Sequence, residues 1–350
     1  MNIRIQVAAA TTVLAAMAAM TAPPAHAADA LTVVNYGGAN GAAQRKTFVE
    51  PYTKSTGVPV TVVEYAGEQA KVKAMVDAGR VTWDVVEVES ADVKRGCDQG
   101  LYEPLDWSAL GGKSQFLPQA VTECGAGFFV WATVLAYNKG LVQGTPGGWQ
   151  DFWDVKKFPG KRGLRKSARG TLEFALMADG VAPSEVYAQL ATQAGVDRAF
   201  KQLDKLKPYI LWWTAGAQAA QILVAGDVAM TTSFGGRVRT AMTDGANIGI
   251  VWRQTLSDLD YWVIPKGAPN KALAEKYIAY TLQAGPQKAF VTTYPNGPVN
   301  LDAFKQMTAD QLESMPNSPD NLKTALIQNA EFWNEHGDDL DQRFAAWAAR

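Results

Sequence analysis

The sequence predicts an α/β protein of two units, each a mainly parallel sheet flanked by helices. Three observations point there. Short β-branched runs alternate with amphipathic stretches from Leu31 onwards. A chain of 350 residues is long enough for two domains at roughly 150 residues each. Midway, Pro146-Gly-Gly-Trp149 and Phe158-Pro-Gly160 interrupt the pattern and mark a crossing between units.

The elements follow in order. Residues 31–36 form a strand, ended by Gly37-Gly38. Phe48 and Tyr52, four apart, share one face of a helix. A strand over 58–65 and a helix over 68–78 follow, the helix with Val72, Met75 and Val76 at core spacing. Residues 83–88 are a third strand. Such βαβαβ order predicts parallel pairing, with ligands beyond the carboxyl ends of the strands. Residues 128–138 are a long apolar strand. Beyond the crossing, strands are expected at 209–213, 228–232, 248–252 and 261–265. A helix is expected from Asn270 through Leu282, and a charged helical tail from about Thr308.

The N-terminus sets an expected location. Arg4 is followed by an apolar run over 7–20, then Pro23-Pro24 and Ala25-His26-Ala27, the order of a secretory signal. Residues 1–27 are therefore expected to be a signal peptide cut after Ala27. A membrane anchor would need about 20 apolar residues. The expected location is the periplasm. Cys97 and Cys124 are the only cysteines, and in an oxidising compartment they read as one disulfide, with two buried free thiols as the alternative. The bridge would contribute on the order of 3 kcal/mol.

Composition excludes several functions. Thirty-three basic and 34 acidic residues are mixed along the chain, with no clustered basic face for nucleic acid. After cleavage, His336 is the only histidine, so a serine or cysteine nucleophile has no evident base. There is no Gly-x-Ser-x-Gly elbow or His-Glu-x-x-His motif. Neither catalysis, a cofactor nor a metal is expected.

Four phrases occur in order: Trp149-Gln-Asp-Phe-Trp-Asp-Val-Lys-Lys-Phe-Pro-Gly-Lys161, Gly226-Asp-Val-Ala-Met230, Asp260-Tyr-Trp-Val-Ile-Pro-Lys-Gly267 and Tyr294-Pro-Asn-Gly-Pro-Val-Asn300. Together they resemble the extracellular solute-binding proteins of ABC importers, of the spermidine/putrescine-binding type. The resemblance implies a two-lobed periplasmic-binding-protein fold (type II), with a hinge and an interlobe cleft. It places one lobe at 28–136 plus 261–305, and the other at 137–260 plus 306–350. It implies a monomer that captures a small molecule and presents it to a membrane permease.

Polyamine sites in that family combine carboxylates with aromatic faces, since a buried ammonium needs a paired charge and an aromatic face attracts a cation. Asp260 matches a family carboxylate that grips an amine, and Trp131 an aromatic on the crossing strand. The plain alternative for Asp260 is a solvated loop aspartate or a partner of Arg253. Trp212, Trp213 and Tyr294 are further aromatic candidates, with one of the adjacent tryptophans facing inward. Tyr36 and Gly37 close the first strand, and Glu89 and Ser90 the third. Ser90 reads equally as a helix cap. Phe234 and Arg237 follow a strand end, and a guanidinium there suits a carboxylate.

The sequence departs from the polyamine pattern. The family's carboxylate pair falls near Ser167 and Gly170, and two of its aromatics fall near Ser233 and on Asp258. Glu173 could replace a lost acid. The first expectation is thus an amine-bearing metabolite such as putrescine or spermidine. The alternative is a zwitterionic ω-amino acid such as γ-aminobutyrate, held between Asp260 and Arg237.

Overall fold

A computed structural model describes residues 30–350. The expected signal peptide lies outside the described residues. Ten strands form one twisted sheet in the order β2-β1-β3-β8-β4-β7-β5-β6, with two short strands off this path. They are β1 (Leu31–Asn35), β2 (Val60–Glu64), β3 (Val85–Glu89), β4 (Gly125–Asn138), β5 (Arg162–Arg165), β6 (Ile210–Trp213), β7 (Met230–Phe234), β8 (Ile248–Val263), β9 (Gly297–Pro298) and β10 (Leu326–Ile327).

Two long antiparallel strands organise the molecule. β8 pairs with β3 at its carboxyl end, from Val86↔Val263 to Glu89↔Asp260. β4 pairs with β8 along its length, and with β7 from Thr133↔Phe234 to Tyr137↔Met230. The parallel trio β1, β2 and β3 therefore flanks one half of the β4–β8 pair, while β5, β6 and β7 flank the other. β4 is apolar and buried through nearly its whole length because both faces are covered. β2, at the sheet edge, is only half-buried.

The core divides accordingly. One cluster gathers Phe48, Phe128, Trp131, Trp262, Tyr277 and Phe290. A second gathers Trp149, Phe152, Phe174, Phe200, Trp333 and Phe344. This is the two-lobed α/β architecture. The packing changes over near Ala132 and Leu256, earlier than the expected boundaries at 136 and 260. Met307, Leu312 and Met315 join the first core, although the tail from 306 was expected in the second; residues from Leu326 onward do pack there.

The strands expected at 248–252 and 261–265 are one continuous strand. The polar run Arg253-Gln-Thr255 reads as a loop, but it is a bulge: Thr133 pairs with Leu256 and Leu135 with Val251, leaving 252–255 looped out. Gln254 takes φ +58, the one positive value at a non-glycine among the described residues. Its carbonyl accepts the Trp149 indole N–H at 2.7 Å, which fixes the bulge.

The two cysteines are bonded, with Cα atoms 5.8 Å apart. The bridge ties the end of the helix Ser90–Asp98 to the start of β4. The C-terminal helix Ala330–Ala348 packs across the division onto that same helix. No helix among the described residues is long and apolar enough to cross a membrane.

Candidate functional site

A cavity of about 370 Å³ opens between the two halves, at the carboxyl ends of β1 and β3. Strand register explains its acid wall. Asp260 lies opposite Glu89 on one side and Phe129 on the other, so these three side chains share a face. Trp131, two residues beyond Phe129, returns to that face. Its indole N–H donates to Asp260 Oδ1 at 2.8 Å.

Beneath Asp260 lies Glu87, fully buried and two residues before Glu89. It accepts the Asn40 amide at 2.7 Å, the Gln44 amide at 2.9 Å and the Tyr36 backbone N–H at 3.2 Å. Burial and the neighbouring Glu87 hold the Asp260 carboxyl well above the usual carboxylate range. Burial raises the Glu87 carboxyl as well, so the two neighbouring acids disfavour a charge on both at once. An approaching cation would favour the ionised form at this wall.

The opposite wall is basic. Arg165 ends β5, Arg169 follows it at a kink, and Arg237 lies in the helix Gly235–Thr243. Arg169 Nη1 meets Glu89 Oε2 at 2.8 Å across the division. Asp92 pairs with Arg95 at 2.6 Å. Arg165 and Arg237 have no carboxylate within ion-pair distance among the described residues. Two glycines make room for Arg237. A Cβ on Gly38 would lie 2.8 Å from its Nη1, and one on Gly216 3.0 Å from its Nε.

Aromatic rings join the walls. Phe234 meets Trp131 edge-on at 5.5 Å, and the Arg165 guanidinium carbon lies 5.8 Å from the Phe234 ring centre. Tyr36 stacks on Tyr65 at 5.2 Å.

Of the candidates read from sequence, Asp260, Trp131, Tyr36, Glu89, Phe234, Arg237 and Tyr294 line the cavity. Ser90, Trp213 and Gly37 stand outside its lining. Ser90 Oγ instead donates to Asp258 Oδ2 at 2.7 Å, tying the start of the helix Ser90–Asp98 to β8. Gln328 donates to the same oxygen at 2.6 Å. Burial raises Asp258 to about 7. Trp213 is buried behind Phe234, 6.0 Å ring to ring. Gly37 supplies the turn after β1 at φ +60, where its N–H donates to Asn35. Glu173 is also outside; fully buried, it accepts the Trp333 indole at 2.9 Å and is raised to about 7.

Sequence reasoning did not single out Arg165, Arg169, Asp92, Phe129 or the turn Thr214–Gly216. Phe129 follows from Trp131 by alternation. The arginines lie in the basic run Lys161-Arg-Gly-Leu-Arg-Lys166 and just beyond it, which reads as solvated surface. A larger hollow of about 780 Å³, beside Pro183 and Asn329, is shallow and brings together no carboxylate.

A model of the bacterial extracellular solute-binding proteins matches residues 47–318. A γ-aminobutyric acid-binding protein of Pseudomonas aeruginosa is 50% identical over 322 residues, 92% of each chain. The spermidine/putrescine-binding periplasmic protein of Escherichia coli is 24% identical over 302 residues, 83% of each. A solved γ-aminobutyric acid receptor is 33% identical, with a TM-score of 0.83 over 92% of this chain and 98% of that one. The fold agrees with these likenesses, and the chain belongs to the bacterial extracellular solute-binding proteins, the substrate-binding components of ABC transporters.

Proposed function

We propose that this chain captures a zwitterionic ω-amino acid, such as γ-aminobutyrate, in the periplasm and delivers it as a monomer to the permease of an ABC importer. The observation behind this reading is the charge left over in the cleft. Glu89 and Asp92 are each matched by an arginine. What remains is the Asp260–Glu87 acid pair on one wall, with Arg165 and Arg237 on the other. Between them the contacts run Asp260, Trp131, Phe234, Arg165. An ammonium at Asp260, methylenes along the two rings and a carboxylate at the guanidiniums would answer every one of these groups.

The 50% identical relative that binds γ-aminobutyric acid supports this reading over a polyamine. A diamine would bring its second ammonium to guanidiniums, which is repulsive. Closure of the lobes on the ligand fits the handling of hinge-closing binding proteins in general.

Isothermal titration with γ-aminobutyrate, putrescine and spermidine decides the matter. The expected result is tight binding of γ-aminobutyrate and weak or absent binding of both polyamines. Strong polyamine binding with none of the amino acid would overturn the proposal and restore the polyamine reading.

A further inference from the structure

Arg169 places a cation of the protein itself in the cavity wall, against Glu89 of the other half. It leaves the chain at a kink. Arg169 is extended, with ψ 128, and Gly170 takes φ +83 before the regular helix begins. Buried Glu173 accepts the Gly170 N–H at 2.8 Å and holds the kink. Trp333, from the C-terminal helix, donates to Glu173 while its ring faces the Arg169 guanidinium at 5.6 Å. So aimed, the guanidinium crosses to Glu89, in the other half of the molecule. Its charge also acts on Asp92 and Asp258. Without it, one wall would present Glu89, Asp92 and Asp260 together.

We propose that Arg169 is a specificity-determining residue: it fills a second amine subsite from within, so that the cleft takes one ammonium and rejects diamines. This rests on the reading of the cleft as an ω-amino acid site. The mechanism is occupation as well as repulsion. Glu89, the acid nearest Asp260 in the ladder, is already neutralised when the ligand arrives. A site can exclude a competitor by denying it a partner, even where volume would admit it.

The test compares the wild-type chain with Arg169→Gln, Arg169→Lys and the double variant Glu89→Gln/Arg169→Gln. Each is titrated with putrescine and with γ-aminobutyrate. Freeing Glu89 in Arg169→Gln is expected to raise the putrescine-to-γ-aminobutyrate affinity ratio by at least about tenfold. Arg169→Lys keeps the charge and should leave the ratio within about threefold of wild type. Removing Glu89 as well should abolish the gain. An unchanged ratio in folded Arg169→Gln overturns the proposal, and so does a gain that survives in the double variant. If Arg169→Gln does not fold, Arg169→Met keeps the stem against Trp333 and reads the same ratio. A purely structural role would weaken both ligands together and leave the ratio fixed. Failure of the wild type to bind γ-aminobutyrate would remove the ω-amino acid reading. The change in putrescine affinity on losing Arg169 would still report on Glu89.

Discussion

At the scale of single residues, the site depends on carboxyl groups held in two different settings. Burial and the neighbouring Glu87 disfavour a charge on Asp260 and hold its carboxyl well above the usual carboxylate range. Glu89 is paired with Arg169 at 2.8 Å. Asp260→Asn preserves shape and the Trp131 contact region but cannot become an anion. We expect it to weaken an amine-bearing ligand by about 2–5 kcal/mol, the cost of leaving a buried charge without its partner. Calorimetry would read this as a loss of about 30-fold or more. Affinity within threefold of wild type would remove Asp260 from the site.

At the scale of elements, the acid wall is a product of strand register, and register was partly legible. The apolar run 128–138 reads directly as a strand, and Trp131 on it points to a face. The bulge in β8 was not legible, because Arg253, Gln254 and Thr255 have the polarity of a loop and only the pairing of Val251 and Leu256 with β4 on either side of them keeps the strand continuous. Glu87 was hidden for the opposite reason. An acid inside Val85-Val-Glu-Val88 reads as a residue facing solvent, while here Asn40, Gln44 and Tyr36 satisfy it in the interior. Arg165 and Arg169 were hidden by their basic neighbours. Local polarity tells where a side chain would prefer to lie, and a cleft between lobes inverts that preference.

The disulfide also acts at this scale. It closes a 27-residue separation and holds the helix after β3 against the start of β4. In the chain-entropy account its removal costs about 3 kcal/mol. Replacing both cysteines by alanine should lower the melting midpoint by about 5 °C for a chain of this size. Ligand affinity should stay near wild type, because neither cysteine lines the cavity. A fall in affinity with no fall in melting midpoint would contradict this account.

At the scale of the whole molecule, buried acids shape stability against pH. Asp258 and Glu173 are each raised to about 7 by burial. In the unfolded chain such groups titrate near 4. Between about pH 4 and 7 the folded chain therefore keeps protons that the unfolded chain has released, and stability falls as pH rises. Carboxylates held low by hydrogen bonds, such as half-buried Glu103 under the Gly267 N–H and Lys271 and exposed Asp106 under Ser108, act in the other direction below about pH 4. The ligand-free protein should melt higher at pH 5 than at pH 7.5. Asp258→Asn and Glu173→Gln should each flatten that slope. A slope unchanged in both variants would show that these groups are not the source.

The paired passage of β4 and β8 has a bearing on how this chain can be divided. Each lobe is assembled from pieces that lie far apart in the gene: the first needs β1 to β3, the start of β4, the end of β8 and the segment around Met315. A fragment ending anywhere between Asn138 and Ile248 would leave β3 with an open edge, stripped of the strand that should cover it. A ribosome partway through synthesis holds that same fragment. The strands of the second lobe can pair before that point, but β3 stays uncovered until residue 263 has emerged, so the acid wall of the cleft is the last to be completed.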